Sequence, residues 1–190
     1  TFFFRDRYFP TGEGDVFAKD AWEKSTALLG CGVNVNLAPV CDVSMDPGSF
    51  IYDRTLGLDA AAQADYAESV VSAMAESGIG SVLKHFPGYG DNADTHTGIA
   101  LDKRPMEVFL ERDFLPFRAG LAAGGRTTAV LVSHNIVSCM DPDLPASLSP
   151  AVHEVLRQEL DFDGVVMTDD LAMKAVADYA RDGAVAVMAL

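Results

Sequence analysis

The sequence predicts an α/β fold built on a parallel sheet. Four runs, at 33–40, 79–83, 128–132 and 164–167, are continuous, apolar and rich in β-branched residues, the pattern of strands covered on both faces. Segments of helical pattern separate them, so strand, loop and helix recur as in parallel sheets joined by crossovers. Each run also hands over at its C-terminal end to polar, titratable residues: Cys41-Asp42, Lys84-His85, Ser133-His134-Asn135 and Thr168-Asp169-Asp170. Parallel α/β folds, barrels and open sheets alike, build their sites at those ends.

In chain order, 15–29 reads as the first helix and 33–40 as the first strand, where Asn34 and Asn36 interrupt the apolar run. A helix at 60–76 leads to the strand at 79–83, and a helix at 106–122 to the strand at 128–132. Pro116 predicts a kink or break in that third helix, because it removes a donor and crowds the preceding turn. Ser149 and Pro150 supply an N-cap and a first helical residue for 150–160. After 164–167 a last helix is expected near Leu171, capped by Asp170. The 190 residues make one domain or part of one. A (β/α)8 barrel takes about 250 residues, and four barrel strands leave two open edges. A small open sheet and a portion of a longer barrel both fit the periodicity.

Apolar residues make up 49% of the chain, enough for a sizeable core. The formal net charge is −14, from 28 acidic and 14 basic residues. A field of that sign repels phosphate backbones and anionic lipid, which argues against nucleic acid or a membrane surface as partner. Cys31, Cys41 and Cys139 are odd in number and lack metal spacing; Cys31 and Cys41 flank an apolar run, where buried free thiols are common. A reducing, cytoplasmic location is the expectation, with export left open because the chain starts abruptly at Thr1-Phe2-Phe3-Phe4. No apolar run reaches the roughly 20 residues of a membrane span.

The stretch at 84–99 concentrates the chemistry: Lys84, His85, Asp91, Asp94 and His96 around Gly88 and Gly90, glycines that permit unusual backbone angles. Asp94 two residues from His96 can accept its ring N–H and raise its basicity for acid–base work; the same pair also reads as an ordinary loop histidine beside a capping carboxylate. His85, Asp91, Asp94 and His96 contain ligand types for a divalent ion, but no metal-binding spacing accompanies them and Lys84 would set a cation beside the ion. Asp169, at a strand end, suits a rigidly held nucleophile, or it shares helix capping with Asp170. Arg54, Lys84 and His85 are donors for substrate oxygens; Arg54 can equally pair with Asp53, and Lys84 can simply neutralise nearby carboxylates. His134 fits a satisfied strand-end histidine, and His153 a surface position.

Taken together, Lys84-His85-Phe86-Pro87-Gly88-Tyr89-Gly90 followed by Asp94-Thr95-His96 resembles the loop of family 3 glycoside hydrolases, and is most similar to their β-N-acetylhexosaminidase branch. Asn36 to Val43, Asp53-Arg54-Thr55-Leu56-Gly57, Ser133-His134 and Gly164 to Met173 extend the likeness in order along nearly the whole chain. The resemblance implies a TIM-type (β/α)8 barrel, present as an incomplete internal portion: residues 1–190 would be the central and C-terminal part of the catalytic barrel, with early strand or strands before Thr1 and a last strand after Leu190. It implies a retaining exo-β-N-acetylglucosaminidase acting on cell-wall or chitin-derived sugars. Asp169 would be the nucleophile, His96 the general acid/base and Asp94 its orienting partner, while Arg54, Lys84 and His85 bind the sugar and Asp42 and His134 lie behind them. The family's loop commonly has a histidine where Tyr89 stands. No cofactor or metal is implied, and the partner is a small carbohydrate. A β-glucosidase, a glycoside phosphorylase and a non-catalytic sugar-binding relic are the alternatives.

Overall fold

A computed structural model of the chain describes residues 16–90, 100–179 and 184–190. Four parallel strands form its sheet in the order β1-β2-β4-β6: β1 (Val35–Asn36), β2 (Gly80–Phe86), β4 (Thr128–Val132) and β6 (Val166–Thr168). Helix α1 (Val16–Gly30) precedes β1, and α2 (Ala60–Ser77) joins β1 to β2. The β2–β4 connection runs through α3 (Met106–Val108), a π-helical turn (Phe109–Asp113) and α4 (Phe114–Gly124), and α5 (Pro150–Glu159) joins β4 to β6. A second sheet pairs β3 (Leu101–Asp102) with β5 (Ile136–Val137), also in parallel. A short helix, α6 (Ala184–Met188), follows β6. This repeated β-α-β winding is the partial (β/α) barrel expected from the sequence.

Strand alternation sorts the side chains. Leu83, Val130 and Val166 stand in register on the face that α2 and α4 cover, where Phe86, Val132, Ala67, Val71, Phe114 and Phe117 complete a dry core. Phe86 stacks on Phe114 at 5.3 Å between ring centres and meets Phe117 edge-on at 5.4 Å, both favourable aromatic geometries. The opposite row carries Lys84, Leu131 and Met167. On that side Val35, Val165 and Met167 are exposed, and β1 and β6 each pair with one neighbour among the described residues.

The structure departs from the sequence expectations in five places. The strand read at 33–40 narrows to Val35–Asn36, where the Ala38 N–H turns back to the Asn36 carbonyl at 2.8 Å; beyond it the Ala38 and Pro39 carbonyls accept the Val82 and Lys84 N–H groups at 3.0 and 3.3 Å, and the Cys41 N–H donates to the Lys84 carbonyl at 2.6 Å. Pro116 does not break the third helix but falls in the first turn of α4, where its missing donor is tolerated, and the irregularity is the π turn just before it. No α-helix starts at Leu171. Asp170 instead closes a turn, its carboxylate accepting the Ala172 N–H at 2.9 Å, and a 3-10 helix follows at Lys174–Tyr179. His153 is half-buried, not on the surface, and Cys31 is exposed while Cys41 is buried. The cap at Ser149 is as expected: its hydroxyl accepts the Val152 N–H.

Phe117 is fully buried where α4 meets β2. Phe117→Ala is expected to cost about 3–5 kcal/mol of folding free energy, measured by urea unfolding; a loss below about 1 kcal/mol would show that this aromatic cluster does not hold the helix to the sheet.

Candidate active site

The residues that sequence reasoning put at strand ends meet at one end of the sheet. Lys84 and His85 are consecutive, yet both serve the site, because β2 carries an extra residue here: Lys84 pairs with Leu131 and Phe86 with Val132, leaving His85 unmatched. Such a bulge re-aims a side chain next to a functional site. The amide freed by the bulge does not go unpaired. Asp42, buried just after the first strand run, accepts the His85 backbone N–H at 3.1 Å with Oδ2 and the Tyr89 N–H at 2.8 Å with Oδ1.

The same Oδ2 lies 2.7 Å from His85 Nδ1. A carboxylate accepts that N–H, which leaves Nε2 to accept from Arg54 Nη2 at 3.2 Å, since a guanidinium only donates. Arg54, on the 3-10 turn Tyr52–Arg54, is thereby oriented through the imidazole by Asp42. Its Nε is buried without a partner among the described residues. Burial pushes Asp42 up, but the neighbouring imidazole and the three N–H donors outweigh it and hold the carboxyl below its ordinary value. With both ring nitrogens engaged, His85 has no lone pair left for a metal, and no group of three or more His, Cys, Asp or Glu is arranged to hold one among the described residues.

Asp169 leaves β6 two residues beyond Met167, on the face that carries Lys84. It is half-buried, and its Oδ1 accepts the Asp170 N–H at 2.9 Å. Burial and the Arg54 charge lower the Lys84 pKa, while Asp169 and Asp42 raise it, so the four groups share one electrostatic neighbourhood. Asp91, Asp94 and His96 lie outside the described residues.

Sequence reasoning missed Arg104, which ties down the chain on either side of that stretch. Its guanidinium donates to Asp102 Oδ2 at 2.7 Å, to both oxygens of Asp113 at 3.0 Å and to the Gly88 carbonyl at 3.0 Å, and it lies 4.4 Å over the Phe109 ring. Gly88 (φ +117°) and Gly90 (φ +55°) are required by that contact: a Cβ would fall 2.8 Å from Asp113 Oδ1 and 2.6 Å from Arg104 Nη1, respectively. Tyr89 between them is buried edge-on to Phe50 and His85. The only sequence signal was an arginine two residues past a buried-type aspartate, too common a pair to single out. Burial pushes the Asp113 carboxyl up to about 6, outweighing the opposing charges of Arg104 and Arg112.

An apolar cavity of about 370 Å³ between α1, α2 and β1, lined by Phe17, Leu37, Pro39, Tyr66 and Met74, reaches Arg54 but none of Asp169, Lys84 or His85. It is not the candidate site.

Residues 11–190 match the family described as "Glycosyl hydrolase family 3 N terminal domain". The chain is 35% identical over 168 residues to a beta-hexosaminidase of Xylella fastidiosa (strain M12), covering 88% of this chain and 49% of that protein. It is 37% identical over 159 residues to one from Alkalilimnicola ehrlichii, covering 83% and 45%. Among solved structures, a family 3 β-N-acetylglucosaminidase from Paenibacillus sp. str. FPU-7 superposes with a TM-score of 0.86 at 32% identity, over 94% of this chain and 34% of that one. The β-N-acetylglucosaminidase from Thermotoga maritima gives 0.80 at 29%, over 92% and 37%. The chain belongs to glycoside hydrolase family 3. It spans about half the length of the curated relatives it matches.

Two measurements follow from this geometry. Asp169→Asn removes a charge that raises the Lys84 pKa, so the Lys84 amine is expected to titrate lower in the variant, read by NMR of its ε-carbon; an unmoved titration would separate the two residues. For Asp113 the folded pKa of about 6 lies above the ordinary carboxylate value. The native state therefore binds the extra proton, and this group's contribution to stability falls as pH rises through that interval. Asp113→Asn is expected to gain in Tm relative to the parent as pH rises from about 4 to 6; a constant difference would show that the fold does not hold a proton on Asp113.

Proposed function

We propose that the whole protein is a retaining exo-β-N-acetylglucosaminidase that releases terminal N-acetylglucosamine from cell-wall or chitin-derived sugars. One observation carries the reading: Asp169, Lys84, Arg54 and His85 gather at the C-terminal ends of parallel strands in a chain whose relatives are beta-hexosaminidases. In this reading Asp169 attacks the anomeric carbon while His96, oriented by Asp94, protonates the leaving oxygen; His96 then takes the proton of the incoming water. Arg54 and Lys84 donate to the sugar hydroxyls as cations, and His85, held in place by Asp42, binds the sugar through the Arg54 guanidinium that its Nε2 orients. Free Cys31, Cys41 and Cys139 support a cytoplasmic location, which recovery of the protein from the periplasm or medium would overturn. The net charge of −14 supports a partner that is a neutral sugar and not nucleic acid, and no described helix is long and apolar enough to cross a membrane.

The test compares initial rates on an aryl β-N-acetylglucosaminide and the matching β-glucoside, for the whole protein and for residues 1–190 alone. Preference for the N-acetyl sugar is expected. Asp169→Asn should lower kcat by about 10⁴-fold and His96→Ala by about 10²–10⁴-fold. Near-parental turnover in the Asp169 variant would sink the nucleophile assignment; faster release with added phosphate would make the enzyme a phosphorylase, and sugar binding without turnover a relic.

A further inference from the structure

The ends of β4 and β6 are joined by a side chain that the proposed chemistry leaves unused. His134 is fully buried. Its Nε2 lies 2.9 Å from the Asp170 carbonyl oxygen and its Nδ1 2.7 Å from Ser147 Oγ. A carbonyl only accepts, so Nε2 carries the proton and, in the neutral ring, Nδ1 accepts from the Ser147 hydroxyl. Ser147 is itself fixed to the end of β4, its N–H donating to the Ser133 carbonyl and that of Ala146 to the Asn135 carbonyl, each at 2.9 Å. The ring's direction is set by the segment that carries it.

What this ring reaches is the backbone around Asp169. The Asp169 N–H donates to the Val132 carbonyl at 2.9 Å. Two residues further along the same segment, His134 holds the carbonyl of Asp170. Between these anchors the one remaining amide, that of Asp170, donates to the Asp169 carboxylate itself. The Asp170 carbonyl already accepts the Met173 N–H at 3.0 Å, so it does not need His134 merely to be satisfied. Burying an imidazole is costly unless both nitrogens are paired. What it supplies here, and an apolar side chain could not, is a directed N–H on the far side of Asp169.

We propose that His134 is a positioning residue for the Asp169 carboxylate, holding the turn after β6 so that the nucleophile keeps its aim. The proposal rests on Asp169 being that nucleophile. Misplacement of a reacting group by about 1 Å can cost 10²-fold in rate, and that is the effect expected here.

The experiment uses the whole protein, with kcat and KM on an aryl β-N-acetylglucosaminide. It adds the limiting rate of covalent labelling by a 5-fluoro-N-acetylglucosaminyl fluoride, followed by intact mass and peptide mapping. In that step the carboxylate displaces fluoride from the anomeric carbon, forming a glycosyl ester and releasing fluoride ion. His134→Ala is expected to lower kcat and the limiting labelling rate by about 10²-fold at unchanged KM. His134→Gln, whose amide N–H reaches the position of Nε2, is expected to recover most of the loss. Parental labelling rates per folded molecule in His134→Ala, or no recovery with glutamine, would overturn the proposal while leaving Asp169 as nucleophile. A label mapping to another residue would overturn both. If His134→Ala does not fold, Ser147→Ala carries the test: it frees the ring to turn but leaves its N–H. A severalfold fall in kcat at unchanged KM supports the role, and an unchanged kcat removes it.

Discussion

A strand that closes a core on one side and feeds a site on the other must switch duties between neighbouring residues, and β2 does so between His85 and Phe86. Regular alternation from Leu83 would turn His85 toward the helices and Phe86 toward the site. The extra residue in the ladder reverses this, so that Phe86 joins the aromatic cluster of α4 while Lys84 and His85 face the other way. A bulge disturbs the ladder locally, and Asp42 takes the His85 amide. The carboxylate that makes the bulge tolerable is also the one that fixes the imidazole and, through it, Arg54. Core and site are therefore not independent parts of this end of the sheet.

Buried negative charge recurs around it. Asp42, Asp102 and Asp113 are all nearly inaccessible, and each is held by N–H donors or a guanidinium. Asp42 is satisfied mainly by amides of the loop it supports, whereas Asp102 and Asp113 share Arg104. Breaking a buried pair of that kind is far more costly than never having built it. Arg104 also holds the Gly88 carbonyl, so the loop backbone is laid against a charge pair that cannot rearrange cheaply.

Much of this architecture was legible in the sequence, for definite physical reasons. The strands at 79–83 and 128–132 are buried on both faces and so carry continuous apolar runs, and Ser149-Pro150 announces its helix because capping is local chemistry. Lys84, His85 and Asp169 stood out because polar residues directly after apolar strands have few structural duties. The bulge was not legible, since one unmatched residue leaves no mark on composition. Nor were β3 and β5, two residues each and too short for any period. Arg104 and Ser147 act through contacts that only the folded chain creates, and the turn at Asp170 differs from a helix start by geometry that an aspartate cap serves equally well.

The sheet is bonded most heavily at its centre, where β2 and β4 pair over five residues, and most lightly at its rims, where β1 contributes two residues and β6 three. Lys84 and His85 stand on the central strand, Asp169 just past a rim strand. Local opening begins where backbone pairing is sparse and solvent is near. Amide protons around Asp169 should therefore exchange with solvent sooner than those around Lys84. Among the described residues, then, the arrangement of the site depends more on the lightly bonded β6 than on the central strands.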